Sequence, residues 1–169
     1  VLVQDDRAAM ALISAAFYGH PAEKLRMVGV TGTSGKTSTT YLLKSIFENE
    51  GSKVGLIGTI ANIIGDEAVP ADRTTPESPD LQALLAKMVE AGVDTAVMEV
   101  SSHSLFLKRV YGIRFQGAIF TNLSQDHLDF HGDFEHYRDA KALLFAQAEH
   151  SAINADDPVC KDMIAAAAG

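Results

Sequence analysis

Short apolar runs alternate along the chain with longer segments whose apolar positions recur every three or four residues. Runs that are apolar at nearly every position and too short for helices suit strands buried on both faces, so the pattern predicts βαβ units around a parallel sheet. Leu25 to Val30, "LRMVGV", reads as the first strand. A helix follows from about Lys36 to Glu50, with Leu42, Leu43, Ile46 and Phe47 as its buried stripe and Gly51 as a natural C′ residue. "KVGLIGTIANIIG" reads as one strand and then a second or a hairpin, and "RTTPESPD" as a polar, proline-rich loop. Ser78 looks like an N-cap with Pro79 at N1, opening a helix through Leu81, Leu84, Leu85, Met88 and Val89 that stops at Gly92. Thr95 to Val100 and Gly117 to Asn122 read as further buried strands, "DFEHYRDAKALLFAQA" as a helix and "SAIN" as the strand after it. The first twenty or so residues read as a lead-in outside the sheet. The expected fold class is α/β: a doubly wound, mainly parallel sheet with helices on both faces and a phosphate loop after its first strand.

Composition bounds this picture. With 169 residues and 47% hydrophobic content, the chain can bury a real core and is most simply one domain. A formal net charge of −8 argues against a nucleic-acid surface, while a local cationic pocket for an anionic ligand stays open. The single cysteine, Cys160, excludes an internal disulfide and a cysteine-built metal site, which fits a reducing, cytoplasmic setting. No apolar run approaches a membrane span, and the N-terminus has no basic-then-apolar leader pattern. The chain opens at Val1 without methionine and closes on "MIAAAAG", so it is expected to be a piece of something longer.

The most specific stretch is Val30 to Thr40, "VTGTSGKTSTT". Gly32 and Gly35 allow backbone N–H groups to point inward, and a helix starting near Lys36 adds the positive end of its dipole, a geometry suited to a polyphosphate. Lys36 would bridge the terminal phosphates and the Thr37 hydroxyl would ligate magnesium. A strict GxxxxGK[ST] loop needs glycine at position 30, where this chain has valine, so the loop is shorter than standard. Glu99, at the end of an apolar strand, needs a cation nearby and suits magnesium held directly or through water. "DHLDFHGDFEH" puts His127 and His131 at a spacing that shares a helical face, a fair transition-metal thought, but it lacks the glutamate of HExxH, and Gly132 argues against a long helix. His131 and His136 read as hydrogen-bonding loop residues. A GTPase would want an NKxD-type motif and a dinucleotide dehydrogenase GxGxxG; neither is present at the corresponding loops.

The segments "VTGTSGKTST", "TTPE", "MEVSSHSL", "FTNLSQDHLDFHG", "YRDAK" and "NADDP", in this order, closely resemble the central ATP-binding domain of the Mur ligases, over about Val28 to Pro158. The resemblance is strongest to the members that add the third residue of the peptidoglycan stem. The shortened glycine loop is the family's own form. Ser34 replaces a more usual asparagine, and Leu107 stands where a polar sugar-side residue is often found.

The resemblance implies an ADP-forming amide ligase. ATP phosphorylates the terminal carboxylate of UDP-N-acetylmuramoyl-L-alanyl-D-glutamate, and the amine of L-lysine or meso-diaminopimelate then attacks the acyl phosphate. Carried onto this chain, Gly32, Thr33, Ser34, Gly35, Lys36, Thr37 and Ser38 would wrap the phosphates of ATP. Thr37 and Glu99 would hold a first magnesium and His127 a second. Lys141 matches a lysine the family carries as an N6-carboxylated residue, able to interact with magnesium; Lys36 and Lys141 would be the catalytic pair. Thr74, Thr75, Ser101 and Arg109 match positions that contact the UDP-muramoyl dipeptide. Residues 1–24 would be the tail of an N-terminal uridine-binding domain with its linker. Residues 25–169 would be an incomplete central domain, lacking the C-terminal amino-acid domain and so unable to complete ligation alone. A monomer is expected, with no nucleic-acid or membrane partner. The alternatives are a related ligase, such as the one adding the next peptide unit or a folylpolyglutamate synthetase, a non-catalytic nucleotide-binding module, and, third, a zinc hydrolase.

Overall fold

The computed structural model describes residues 2–126 and 128–167. Seven strands form one sheet: β1 (Arg26–Thr31), β2 (Val54–Ile57), β3 (Ala61–Ile64), β4 (Glu67–Pro70), β5 (Thr95–Glu99), β6 (Phe115–Phe120) and β7 (Ala148–Ile153). Their spatial order is β4-β3-β2-β5-β1-β6-β7. The five strands from β2 to β7 in that order run parallel, and β3 and β4 add an antiparallel ribbon at one edge. The helices are α1 (Asp6–Phe17), α2 (Lys36–Asn49), α3 (Ser78–Glu90), α4 (Ser102–Phe106), α5 (Leu128–His131), α6 (Phe134–Ala142) and α7 (Cys160–Ala167).

The apolar runs become central strands because alternate residues meet different helices. Met27, Ala96, Met98, Ala118 and Phe120 belong to the larger core with Leu81, Leu85 and Met88 of α3, Tyr137 of α6 and Met163 of α7. Val28, Val54 and Val97 form a smaller core against Leu43 and Phe47 of α2. Two cores on opposite faces confirm the doubly wound arrangement. β1 lies between β5 and β6, with Val30 paired to Glu99 on one side and to Ile119 on the other. The loops leaving these three parallel strands therefore gather at one rim, where open α/β sheets bind ligands.

Several sequence expectations need correction. Leu42 and Ile46 are 65% and 56% exposed; the inward stripe of α2 runs through Thr40, Leu43 and Phe47. Ser78 is the first residue of α3 rather than its cap, because its hydroxyl donates to Arg109 O at 3.0 Å. "KVGLIGTIANIIG" contains β2 and β3, and β4 follows as an unforeseen hairpin partner. The helix expected through "DFEHYRDAKALLFAQA" stops at Ala142, with a 3₁₀ turn at Phe145–Gln147. The lead-in is outside the sheet, as expected, but forms α1, packed on α3. No helix among the described residues is long and apolar enough to cross a membrane.

Candidate functional site

The glycine loop joins β1 to α2. Gly32 has φ +149°, and a Cβ there would lie 1.9 Å from Thr121 Oγ1, so only glycine lets the loop pass so close to the end of β6. Gly35, at φ +84°, occupies the N-cap position of α2 and supplies no capping side chain, leaving the first amides of α2 to another acceptor. The loop is braced from β6: Thr33 N donates to Asn122 O at 2.9 Å and Ser34 N to Asn122 Oδ1 at 3.0 Å. Thr121 Oγ1 and Asn122 Nδ2 return hydrogen bonds to Ser34 O. Thr33 Oγ1 accepts from Ser124 N and shares a 3.1 Å hydrogen bond with the Tyr137 hydroxyl.

Two lysines converge on this loop. Lys36 Nζ folds back to donate to Gly32 O at 2.8 Å and Thr33 O at 2.9 Å. Lys141 Nζ reaches the same Gly32 O at 3.0 Å and lies 4.5 Å from the centre of the Tyr137 ring. Lys141 is 2% exposed, so the solvated surface lysine that its helical context suggests is instead part of the loop's rear wall. Burial, reinforced by the Lys36 ammonium and partly offset by Asp126, draws the Lys141 amine down to about 7. Burial also lowers Lys36, against the pull of Glu99 and Asp126.

Glu99 ends β5 in a hydroxyl-rich setting and is 1% exposed. Its carboxylate accepts from Thr37 Oγ1 at 3.0 Å on both oxygens, from Thr59 N at 2.9 Å and from Thr59 Oγ1 at 3.2 Å. A Cβ at Gly58 would sit 2.4 Å from Glu99 Oε1, so that glycine clears the carboxylate's place. Two oxygen donors, the Thr37 hydroxyl and the Glu99 carboxylate, suit a hard divalent cation. His127 lies outside the described residues. Among the described residues no three His, Cys, Asp or Glu side chains gather as a metal site. His131 Nε2 instead meets Ser102 Oγ at 3.0 Å, and His136 pairs with Asp133, the cap of α6.

The "TTPE" segment lies directly beside Glu99. Thr59 Oγ1 and Thr74 Oγ1 are 2.9 Å apart, and Thr75 Oγ1 donates to Glu99 O at 2.8 Å while accepting from Ser101 N at 3.1 Å. Thr74 and Ser101 are half-buried, with Ser101 capping α4 through Ser104 N. Thr75 and Arg109 are buried behind them. Arg109 Nη1 donates to Thr75 O at 3.1 Å and Nη2 lies 2.7 Å from Glu77 Oε1. Sequence reasoning missed Thr59, Glu77, Thr121, Asn122 and Tyr137. Of these, Thr59, Thr121 and Asn122 all follow strand ends, which is the one signal that could have marked them.

A family model described as Mur ligase middle domain matches residues 30–169. The chain is 58% identical over 157 residues to UDP-N-acetylmuramoyl-L-alanyl-D-glutamate–2,6-diaminopimelate ligase 1 of Clostridium acetobutylicum, covering 93% of this chain and 33% of that protein. It is 52% identical over 169 residues to the corresponding ligase of Clostridium botulinum, covering 100% of this chain and 35% of that protein. A solved structure of a UDP-N-acetylmuramoyl-L-alanyl-D-glutamate–2,6-diaminopimelate ligase superposes with TM-score 0.84 at 31% identity, over 95% of this chain and 34% of that one. Mycobacterium tuberculosis folylpolyglutamate synthase shares the fold, with TM-score 0.77 at 17% identity, over 95% of this chain and 45% of that one. The chain thus spans about a third of the length of the curated relatives it matches.

Proposed function

The chain belongs to the Mur ligase family through its middle domain, and from that membership we propose that it supplies the phosphate loop and part of the acceptor site of an ADP-forming amide ligase. The reaction joins an amino acid to UDP-N-acetylmuramoyl-L-alanyl-D-glutamate. The observation that carries this reading is that both halves of the site meet on Glu99: Thr37 of the phosphate loop binds its carboxylate, and Thr75 of the acceptor segment binds its backbone oxygen. Acyl phosphate formation needs a carboxylate within reach of the terminal phosphate, and that shared residue puts the two loops side by side.

Gly32 to Ser38 cradle the phosphates of ATP, and Lys36 leaves Gly32 O and Thr33 O to neutralise charge on the transferring group. A substrate carboxylate oxygen attacks the terminal phosphorus and ADP departs. The incoming amine then attacks the acyl carbon, loses a proton and expels phosphate. Thr37 and Glu99 would hold magnesium, which supplies charge neutralisation between the phosphates and the acceptor carboxylate when bound; His127 is proposed as a ligand of a second ion. Thr74 and Ser101 offer hydroxyls to the dipeptide, with Thr75 and Arg109 shaping the wall behind them. Lys141 is proposed to be carboxylated on Nζ: a buried, readily deprotonated amine adds carbon dioxide and loses its proton, and the resulting anion would be able to interact with magnesium.

Of the two third residues expected from sequence, the names of the relatives favour 2,6-diaminopimelate. Residues 1–24 are proposed to lead in from a uridine-binding domain, with the amino-acid pocket on a further domain. The proposed setting of the ligase is the cytoplasm, and its proposed state is a monomer. Its test is phosphate release from ATP by the full-length ligase, given the dipeptide with either 2,6-diaminopimelate or L-lysine. Release requiring the dipeptide and one amino acid is expected; release indifferent to the dipeptide would overturn the reading.

A further inference from the structure

We propose that Glu77 is a positioning residue for the dipeptide, fixing Arg109 against the Thr75 backbone while Arg7 of α1 secures the other side of the same carboxylate; this rests on the ligase reading above. Glu77 Oε1 lies 2.7 Å from Arg109 Nη2, and Oε2 lies 2.7 Å from Arg7 Nη1. Arg109 is only 8% exposed, and among the described residues its Nε is buried without a hydrogen-bond partner, while Nη1 meets Thr75 O and Nη2 meets Glu77. A buried guanidinium stripped of its carboxylate is costly, so without Glu77 the arginine must move toward water. Burial already lowers Arg109, and the like charges of Arg73 and Arg7 add to that, with Glu77 the group opposing them.

The connection runs on to the surface that would receive substrate. Thr75 is pinned between the Arg109 guanidinium at its carbonyl and Glu99 O and Ser101 N at its hydroxyl. Thr74 and Ser101 flank it, so displacement of Arg109 shifts both hydroxyls proposed to meet the dipeptide. At the other end, α1 is clasped twice to the same turn: Arg7 through Glu77, and the helix-capping Asp5 by an ion pair with Lys108, the residue before Arg109. α1 is thereby a strut of the acceptor site, although it contributes no strand and lies far from Glu77 and Lys108 in sequence.

The test uses the full-length ligase, with KM measured separately for the UDP-muramoyl dipeptide and for ATP. Glu77→Ala is expected to raise the dipeptide KM by about tenfold or more, with kcat and the ATP KM changed by less than about threefold. Arg7→Ala, which leaves Glu77 on Arg109 alone, is expected to raise the dipeptide KM about threefold by the same reasoning. Glu77→Gln keeps the volume and one acceptor oxygen and covers the case in which Glu77→Ala fails to fold; it is expected to fall between the other two. An unmoved dipeptide KM, or equal rises for dipeptide and ATP, overturns the proposal. Wild-type release that ignores the dipeptide overturns the ligase reading with it, whereas wild-type dependence with an unmoved KM in the variants overturns this inference alone.

Discussion

Thr37 Oγ1 stands 3.0 Å from each carboxylate oxygen of Glu99, tying the first turn of α2 to the end of β5. A hydroxyl and a carboxylate brought together at the head of this loop suit a hard cation, and hydrogen bonds from Thr59 fix the orientation of the carboxylate. Glu99→Gln keeps the shape and an acceptor but removes the charge. ADP binding by calorimetry, with and without magnesium, is expected to lose most of its magnesium dependence, an effect of about ten- to a hundredfold in affinity. Undiminished magnesium dependence would refute the assignment.

Gly58 gives a steric version of the same experiment. The Cβ of Gly58→Ala would sit 2.4 Å from Glu99 Oε1, so the carboxylate must rotate away from Thr37 and Thr59. Overpacking of this kind costs about 1–3 kcal/mol. The expected variant is folded, with a modestly lowered melting temperature and much weaker magnesium-dependent nucleotide binding. Wild-type binding would mean that Glu99 does not need its present position.

Lys141 sets a pH dependence with a definite sign. Its amine is drawn down to about 7 in the folded state, against 10.5 unperturbed. Below about 7 both states hold the proton, and the cost of burying an ammonium is fully present. Between there and 10.5 the folded chain sheds the proton while the unfolded chain keeps it, so stability rises with pH. Lys141→Met removes the group. In urea titrations free of carbon dioxide, the variant is expected to exceed wild type at pH 6 by on the order of 1–3 kcal/mol, with the gap closing toward pH 10. A gap that does not narrow would count against the low amine pKa.

On α2, two neighbouring apolar stripes have different fates. Leu42→Ser is expected to change stability by less than about 0.5 kcal/mol, because the side chain is 65% exposed. Phe47→Ala, against Val28, Val54 and Val97, is expected to cost about 2 kcal/mol or more. Equal effects in denaturant titrations would contradict the observed facing of the helix.

That pair also shows where sequence stops short. The periodicity of α2 reveals a helix with an apolar side, but Leu42 and Ile46 form one stripe and Thr40, Leu43 and Phe47 another; only the packing angle against β1, β2 and β5 selects the second. Strand ends were legible because buried runs have sharp limits, which located Gly32, Lys36, Thr37 and Glu99 at one rim, whereas Ser101 came from the family resemblance. Side-chain partnerships across the fold leave no such trace. Glu77 in "TTPE" reads as a loop acid until Arg7 and Arg109 arrive from distant segments. Lys141 reads as solvated because nothing in a short helix says that Gly32 lies over it. Family resemblance, rather than pattern, singled it out.

The central place of β1 has a consequence for how the protein comes into being. Its register is set by Thr95 and its neighbours on one side and by Gly117 onward on the other, so the phosphate loop has no fixed platform until two distant stretches of chain have docked. The ribbon of β3 and β4, by contrast, closes locally. Non-local pairing of this kind is slow to form. Nucleotide affinity should therefore emerge among the last properties during refolding, and a fluorescent ADP analogue added to the refolding chain would act as a clock for completion of the sheet's centre.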